Sequence, residues 1–485
     1  MKFLRHLTGY LPVSLANGLV GFGGVYVFTR LLGGEDYGRY ALLFSCFTLI
    51  HTMTLTWAEA ASYRFAGAAL EDDDLPGHYR TGLSVLSRSL IATALGIGLL
   101  SLLFRNDPAY LYVLPWLFIV IVTSAFGQLA MEAHRAHQRV GRYAFSETSK
   151  IILAFLGGAA AAYFTGLGPA APFAGMLLGT SVLLLREGPW LLREARGGQL
   201  DTKRTKAWLR FGVPVAGAMM LDILLSVSDR FLIVYFLDEV AVGAYAAGYG
   251  VADKPVLMIC TWAALGASPL MMAAYERDGK EAASKAAGDL ARAILLLGVP
   301  AAVGLGLVAE PLAKAAIDAE LSDQAAKIIP FIAFSGLLNG LLIHYVSESF
   351  QLTRRTALRA MLMVAPVVTN IALNLIFLPM FGVMGAVYAT IISYGFAVIL
   401  LGIVGNNLMR LPVPIIDIGK VAIAALAMWP VIHVMPELGG WSELILKVIA
   451  GGIIYCFVAV LLNAAGARHM IEDLLRRRRQ ETNAH

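Results

Sequence analysis

Runs of about twenty apolar residues, each long enough to cross a bilayer, recur along the whole chain. They fall near 11–32, 39–60, 83–104, 109–130, 148–165, 168–185, 212–237, 243–272, 291–309, 327–350, 358–378, 383–404, 417–434 and 443–464. This makes about fourteen spans. Of the 485 residues 58% are hydrophobic and 15% charged, against about 25% charged in a soluble domain. In hydrocarbon every backbone polar group must be bonded internally, which leaves helices and closed barrels. Barrel strands would alternate apolar and polar residues. These runs do not, so the chain reads as an all-α integral membrane protein. The first run follows Lys2 and Arg5, exceeds a signal-peptide core and is followed at once by a second run, so it is expected to be a retained helix. Cys46, Cys260 and Cys456 all lie in apolar runs and suggest neither a disulfide framework nor a metal site.

Basic residues set the orientation. With the N-terminus in the cytoplasm, an even number of spans sends most of the 38 Lys and Arg to that side. The richest loop, 186–211, carries Arg186, Arg193, Arg196, Lys203, Arg204, Lys206 and Arg210, while the opposite loops near 166, 239 and 381 have none. Both termini are therefore expected in the cytoplasm. The net charge of +5 follows topology, so no nucleic-acid partner is expected.

The chain contains a repeat. Glu132, Arg139 and Ala144 recur as Glu348, Arg355 and Ala360 at one spacing of 216 residues, which also carries Gly166 onto Gly382. Each copy holds about six spans, giving both the same orientation, as parallel repeats of secondary transporters have. The expected organisation is a six-helix bundle over 1–200, its repeat over 201–410, two extra spans over 411–466 and a basic tail over 467–485.

Ionisable residues inside a span are costly, from about 2.5 kcal/mol upward at the bilayer centre, and usually face a bundle interior or a watery path. The span Val213–Leu237 holds Asp222, Ser226 and Asp229 at i, i+4, i+7, hence on one helical face, with Arg230 beside Asp229. Asp253 and Lys254 form a second acid–base neighbour pair. Ser45, Thr48, Thr52, Thr56 and Glu59 make a hydroxyl stripe ending in a carboxylate. His51 lies off that stripe and reads as a hydrogen-bonded packing histidine. Asn370 and Asn374 are four apart on one face. Each set also has a plainer reading as interhelical glue or buried ion pairs. No P-loop, HExxH, nucleophile elbow or CxxC is present, so no ATP site is visible and no cofactor is expected; the energy source is then a gradient, such as one of protons or sodium, or the substrate's own concentration difference.

Thr29–Ala41, TRLLGGEDYGRYA, and Asn370–Tyr394, NIALNLIFLPMFGVMGAVYATIISY, resemble the polysaccharide-biosynthesis flippases (Wzx type) of the multidrug/oligosaccharidyl-lipid/polysaccharide exporter superfamily. Ser228-Asp229-Arg230 followed by Val242-Gly243-Ala244-Tyr245 is similar to that family's seventh-to-eighth span junction, and Ala61–Phe65 to its segment after span two. The resemblance implies two six-helix bundles in a V, alternating access, and passage of an undecaprenyl-diphosphate-linked oligosaccharide to the periplasmic leaflet of a bacterial inner membrane. Its expected partners are that substrate, membrane lipids, and a polymerase with other glycan-assembly proteins. Such a substrate needs cations for its diphosphate, which adds Arg30 and Arg64 to Arg230 and Lys254. The alternatives are a MATE-like drug or cation exporter, a peptidoglycan lipid-precursor flippase and, remotely, a membrane enzyme of glycan assembly. Glu132, Arg139, Glu348 and Arg355, at equivalent ends of the fourth and tenth spans, could form a cytoplasmic gate. The plainer reading is ordinary helix-end charge.

The topology has a direct test. Reporter fusions after Leu200 and at the C-terminus are expected to read cytoplasm, and a fusion after Asp238 periplasm. A periplasmic C-terminus would break the even span count.

Overall fold

The computed structural model describes residues 2–468, so Arg476–Arg479 of the tail lie outside the described residues. Those residues form α1 (Lys2–Thr54), α2 (Thr56–Glu71), α3 (Leu75–Leu103), α4 (Pro108–Ala136), α5 (Val140–Phe164), α6 (Ala171–Glu194), α7 (Thr202–Phe236), α8 (Glu239–Leu307), α9 (Ala309–Ala316), α10 (Ala319–Leu341), α11 (Ser347–Leu352), α12 (Thr356–Phe381), α13 (Val383–Leu408), α14 (Ile415–Leu426), α15 (Met428–Val434) and α16 (Gly440–Leu461). No strand occurs among them. Eleven helical stretches are long and apolar enough to cross a membrane.

The sequence count of about fourteen and these eleven describe the same chain. α1 has 53 residues and α8 has 69. At 1.5 Å per residue each far exceeds the roughly 30 Å hydrocarbon core. α1 is broken at Gly33 (φ 74°) and α8 at Gly279 (φ 81°), a backbone region glycine enters without a Cβ penalty. Each therefore supplies two spans. α5, with 25 residues, is long enough to cross but carries Arg142, Glu147 and Lys150 in its first half.

Packing divides the chain into two compact units, 1–243 and 244–485. α7 packs on α1 and α2 in the first unit, although the sequence repeat starts its second copy near residue 201. Repeat and packing boundaries are thus different features of one chain.

Within the first unit, α5 and α6 lie almost in backbone contact. A Cβ on Gly175 would fall 2.1 Å from Gly158 N and 2.2 Å from Ala154 O. Small residues let membrane helices approach this closely, where dispersion rather than water drives association. At the end of this pair Glu187 of α6 is fully buried. Its carboxylate accepts from Ser146 Oγ (2.9 Å) and from Arg142 (Nη2 at 2.7 Å) of α5, and it meets His134 Nε2 of α4 at 2.9 Å. The His134 ring stacks on Trp190 with centroids 4.3 Å apart. Three helices are joined at one carboxylate.

In the second unit α10 passes through a π-helical turn, Leu342–Val346, before α11. Ser347 Oγ donates to Leu342 O at 2.7 Å, the carbonyl that also accepts the backbone N–H of Ser347. Such turns within α-helices often mark functional positions.

Removing Glu187 leaves the buried His134 and Ser146 without their acceptor, and a buried polar group left unpaired costs about 1–3 kcal/mol. Glu187→Ala is expected to lower the thermal unfolding midpoint and membrane abundance sharply. A variant as stable as the wild type would show that the α5–α6 backbone contact suffices.

Candidate functional site

In the first unit, Arg230 of α7 reaches α1, where its Nη1 donates to Ser45 Oγ at 2.8 Å. Ser45 donates onward to Ala41 O at 2.9 Å, so one hydroxyl serves both helices. Asp229 is fully buried and Ser228 nearly so. Asp222 is half-buried. Ser226 Oγ donates to Ile223 O at 2.9 Å, which spends its donor on its own helix. The stripe foreseen on α7 therefore separates by depth. Asp229 is interior, while Asp222 and Ser226 lie shallower.

In the hydroxyl stripe of α1, Ser45 Oγ donates to Ala41 O and Thr48 Oγ1 to Phe44 O, while Thr52 is buried. Glu59 does not end the same helix, because the helix stops at Thr54 and restarts at Thr56. Its partner is His51, whose Nε2 lies 3.1 Å from Glu59 Oε1. The partner of this hydrogen-bonded histidine is thus the stripe's only carboxylate. Nothing in the spacing of a single straight helix would have joined them.

Arg30 is exposed on α1; its Nη1 donates to Tyr26 O at 2.9 Å and its guanidinium lies 4.0 Å from the centre of the Tyr26 ring. Arg64 is exposed on α2. In the second unit Asp253 is buried while its neighbour Lys254 is exposed. Asn370 and Asn374 are fully buried, and Asn374 Nδ2 donates to Asn370 O at 2.9 Å. Between α8 and α13, Tyr245 Oη and Thr390 Oγ1 are bonded at 3.2 Å. His344, in the π turn, bonds Thr261 at 2.9 Å.

The four gate candidates have local surroundings. Glu132 is buried and accepts from Gln128 Nε2 (2.8 Å) and Arg135 Nη1 (3.1 Å), one turn away on its own helix. Arg139 lies seven residues on, too far for an intrahelical contact, and the intrahelical partner is the i+3 arginine, Arg135. Arg135 also lies over the Tyr63 ring at 4.6 Å. Arg139 is exposed, its guanidinium 5.4 Å from the Trp190 ring. Glu348 accepts from Ser268 Oγ at 2.9 Å, and Arg355 is exposed just before α12.

Two groups beside the spans titrate away from their ordinary values. Arg204 Nη2 lies 2.6 Å from Asp74 Oδ2, and that hydrogen bond holds the Asp74 carboxyl below the usual range. Its stabilising effect is present above the ordinary aspartate value and is lost as pH falls through the lowered one. Burial, reinforced by Arg139, keeps His137 below the ordinary imidazole value. Its ring bonds Tyr79 Oη at 2.8 Å.

A second-unit cavity of about 470 Å³ is lined by Leu295, Leu341, Tyr345, Ile399, Ile403 and Asn406 among others. Its wall is almost wholly apolar.

These features describe a polytopic helical membrane protein with charges buried between its spans. A solved structure described as lipid II flippase MurJ in an inward closed conformation superposes with a TM-score of 0.73, at 15% identity, covering 96% of this chain and 100% of that one. An inward-facing multidrug resistance MATE family transporter of the MOP superfamily gives 0.67, at 17% identity, covering 81% and 94%. A protein of Haloferax volcanii described as probable flippase AglR is 26% identical, over 93% of this chain and 94% of its own length. The polysaccharide biosynthesis protein family model matches residues 27–321, and the chain belongs to that family.

The Glu132 geometry separates two arginines. Arg135→Ala leaves a buried carboxylate short of a partner and is expected to cost about 1–3 kcal/mol. Arg139→Ala removes only an exposed cation–π contact, worth about 0.5–1 kcal/mol. Thermal unfolding of the two purified variants checks the order.

Proposed function

We propose that the protein flips an undecaprenyl-diphosphate-linked oligosaccharide, an O-antigen or exopolysaccharide repeat unit, from the cytoplasmic to the periplasmic leaflet of the bacterial inner membrane. It works by alternating access and makes or breaks no bond in the substrate. Membership of the polysaccharide biosynthesis family carries the reading. The similarity to a protein described as a probable flippase supports it, as does a likeness in fold to a lipid II flippase. Arg230, half-buried in a span, offers a planar multi-donor fork suited to a diphosphate. The apolar second-unit cavity suits an isoprenoid tail. Lys254, Asn370 and Asn374 add a cation and amides for the anionic and sugar parts. A polymerase and other glycan-assembly proteins would receive the product, and a proton or sodium gradient would drive the cycle.

The MurJ-like fold favours a second reading, a peptidoglycan lipid-precursor flippase, because the superposition covers nearly all of both chains. Genetics separates the two. Deletion should remove a surface glycan while leaving cell-wall synthesis intact, and the gene on a plasmid should restore it. Arg230→Ala is expected to abolish export at normal membrane abundance, with Arg230→Lys recovering only part because the fork is lost. Ser45→Ala, which removes the hydroxyl Arg230 donates to, should export. Normal export by Arg230→Ala would make that residue structural at most. Lysis on depletion with glycan unchanged would select the cell-wall reading.

A further inference from the structure

His51 and Glu59 sit eight residues apart, on either side of the break between α1 and α2. In a straight helix eight residues advance about 12 Å along the axis, beyond what these two side chains span together. Their ring nitrogen and carboxylate oxygen nevertheless lie 3.1 Å apart. The contact therefore exists only because the helix axis bends at Leu55. Leu55 leaves the helical region (φ −122°, ψ −37°) and is fully buried. Trp57 Nε1 caps the freed carbonyl of Thr54 at 3.0 Å, and Thr54 Oγ1 is bonded to Thr93 of α3 at 2.9 Å. The bend is built into its surroundings, and the pair closes its inner side.

The neighbouring elements set the charge around the pair. From α5, Lys150 acts on His51 and is itself bonded to Glu147 at 2.7 Å. From α4, Glu132 acts on Glu59 through space, with Arg135 beside it. α7 brings Arg230 to Ser45, six residues before His51, and α3 brings the neutral Thr93. The His51 and Glu59 side chains are 19% and 11% exposed. That is enough for a proton to exchange with water and too little for water to screen the pair fully.

We propose that His51 and Glu59 form a proton-binding site whose occupancy sets the bend between α1 and α2. With Nε2 of His51 protonated in addition to Nδ1 and no proton on Glu59, imidazolium and carboxylate attract and the bend is clamped. When the Nε2 proton leaves to water, a neutral ring faces the carboxylate, and the two helices are free to straighten. A second proton, taken up by Glu59, removes the other charge and has the same effect. The site deepens the proposed transport reading by identifying the proton as the coupling ion, and only that role rests on the reading.

The test uses the purified full-length protein in lipid nanodiscs, with hydrogen–deuterium exchange of residues 50–60 measured between pH 5.5 and 9. Rates are expressed as protection factors, which removes the intrinsic pH dependence of exchange. Wild-type protection is expected to fall about tenfold as alkaline pH takes the ring proton, the change produced when a group differs by one pH unit between two states. Glu59→Gln and His51→Gln should each lie flat across the range. The exchanged pair, His51→Glu with Glu59→His, should restore a transition. A flat wild-type profile, or a transition that survives in both single variants, would overturn the site, and the wild-type profile alone decides if neither variant accumulates. No substrate enters this measurement. A transition in a protein that exports no glycan would remove the flippase reading and leave the proton site, whereas export with a flat profile would do the reverse.

Discussion

A charge taken out of water must be answered by its neighbours, and most of the polar architecture of the first unit follows from that. Glu187 is the clearest instance. Fully buried, it would be untenable alone, yet donors on two other helices converge on it. Because Arg142, Ser146 and His134 come from α5 and α4, satisfying the carboxylate fixes how those helices stand against α6. The Gly175–Gly158 approach supplies the dispersion contact, and Glu187 fixes the register along it. A small-residue seam alone could slide; one with a charged clamp at its end cannot slide without stranding a buried charge.

The same rule sorts the residues that sequence spacing brought forward. Seryl and threonyl groups on α1 and α7 mostly return their donors to the preceding turn, as Thr48 and Ser226 do. They are cheap to bury because each helix satisfies them locally. Arg230 and Glu59 are not settled that way. Arg230 needs Ser45 from another helix, and Glu59 needs His51 from across a break. Intrahelical bonding thus marks the hydroxyls as passive, and bonding across helices or breaks marks the charges as the groups that couple one segment's position to another's.

That distinction explains how much was legible in the sequence. Span number, helical class and repeat follow from apolar run length and one recurring spacing, both properties of a line of residues. The depth of Asp229 was legible too, because a carboxylate in a long apolar run has few places to go. His51–Glu59 was not, since its closeness depends on a bend at Leu55 that no glycine or proline announces. Glu187 was also missed. It sits among Arg186, Gly188 and Pro189 near a basic loop, where an acid looks like ordinary helix-end charge, and its partners lie 41 to 53 residues away. Glu132 illustrates the remaining gap. Its recurrence in the repeat drew attention to Arg139, which recurs with it, whereas the bonded arginine is Arg135, whose counterpart at the repeat spacing is Gln351.

The repeat shows what the two copies do not share. Moving by the same 216 residues, the Glu187 cluster lands on apolar groups: His134 on Phe350, Arg142 on Leu358, Ser146 on Leu362 and Glu187 itself on Ile403. No residue of that set keeps its charge, so the backbone plan is common and the chemistry is not. The consequence can be read at the site. Ile403 and Asn406, the counterparts of Glu187 and Trp190, line the apolar cavity of the second unit. A position that in the first unit clamps three helices around a carboxylate forms, in the second, the wall of an open hydrophobic cavity. A clamp and a cavity make opposite demands on the same helix, one for tight polar closure and the other for unfilled apolar space. Duplication with divergence lets one chain meet both.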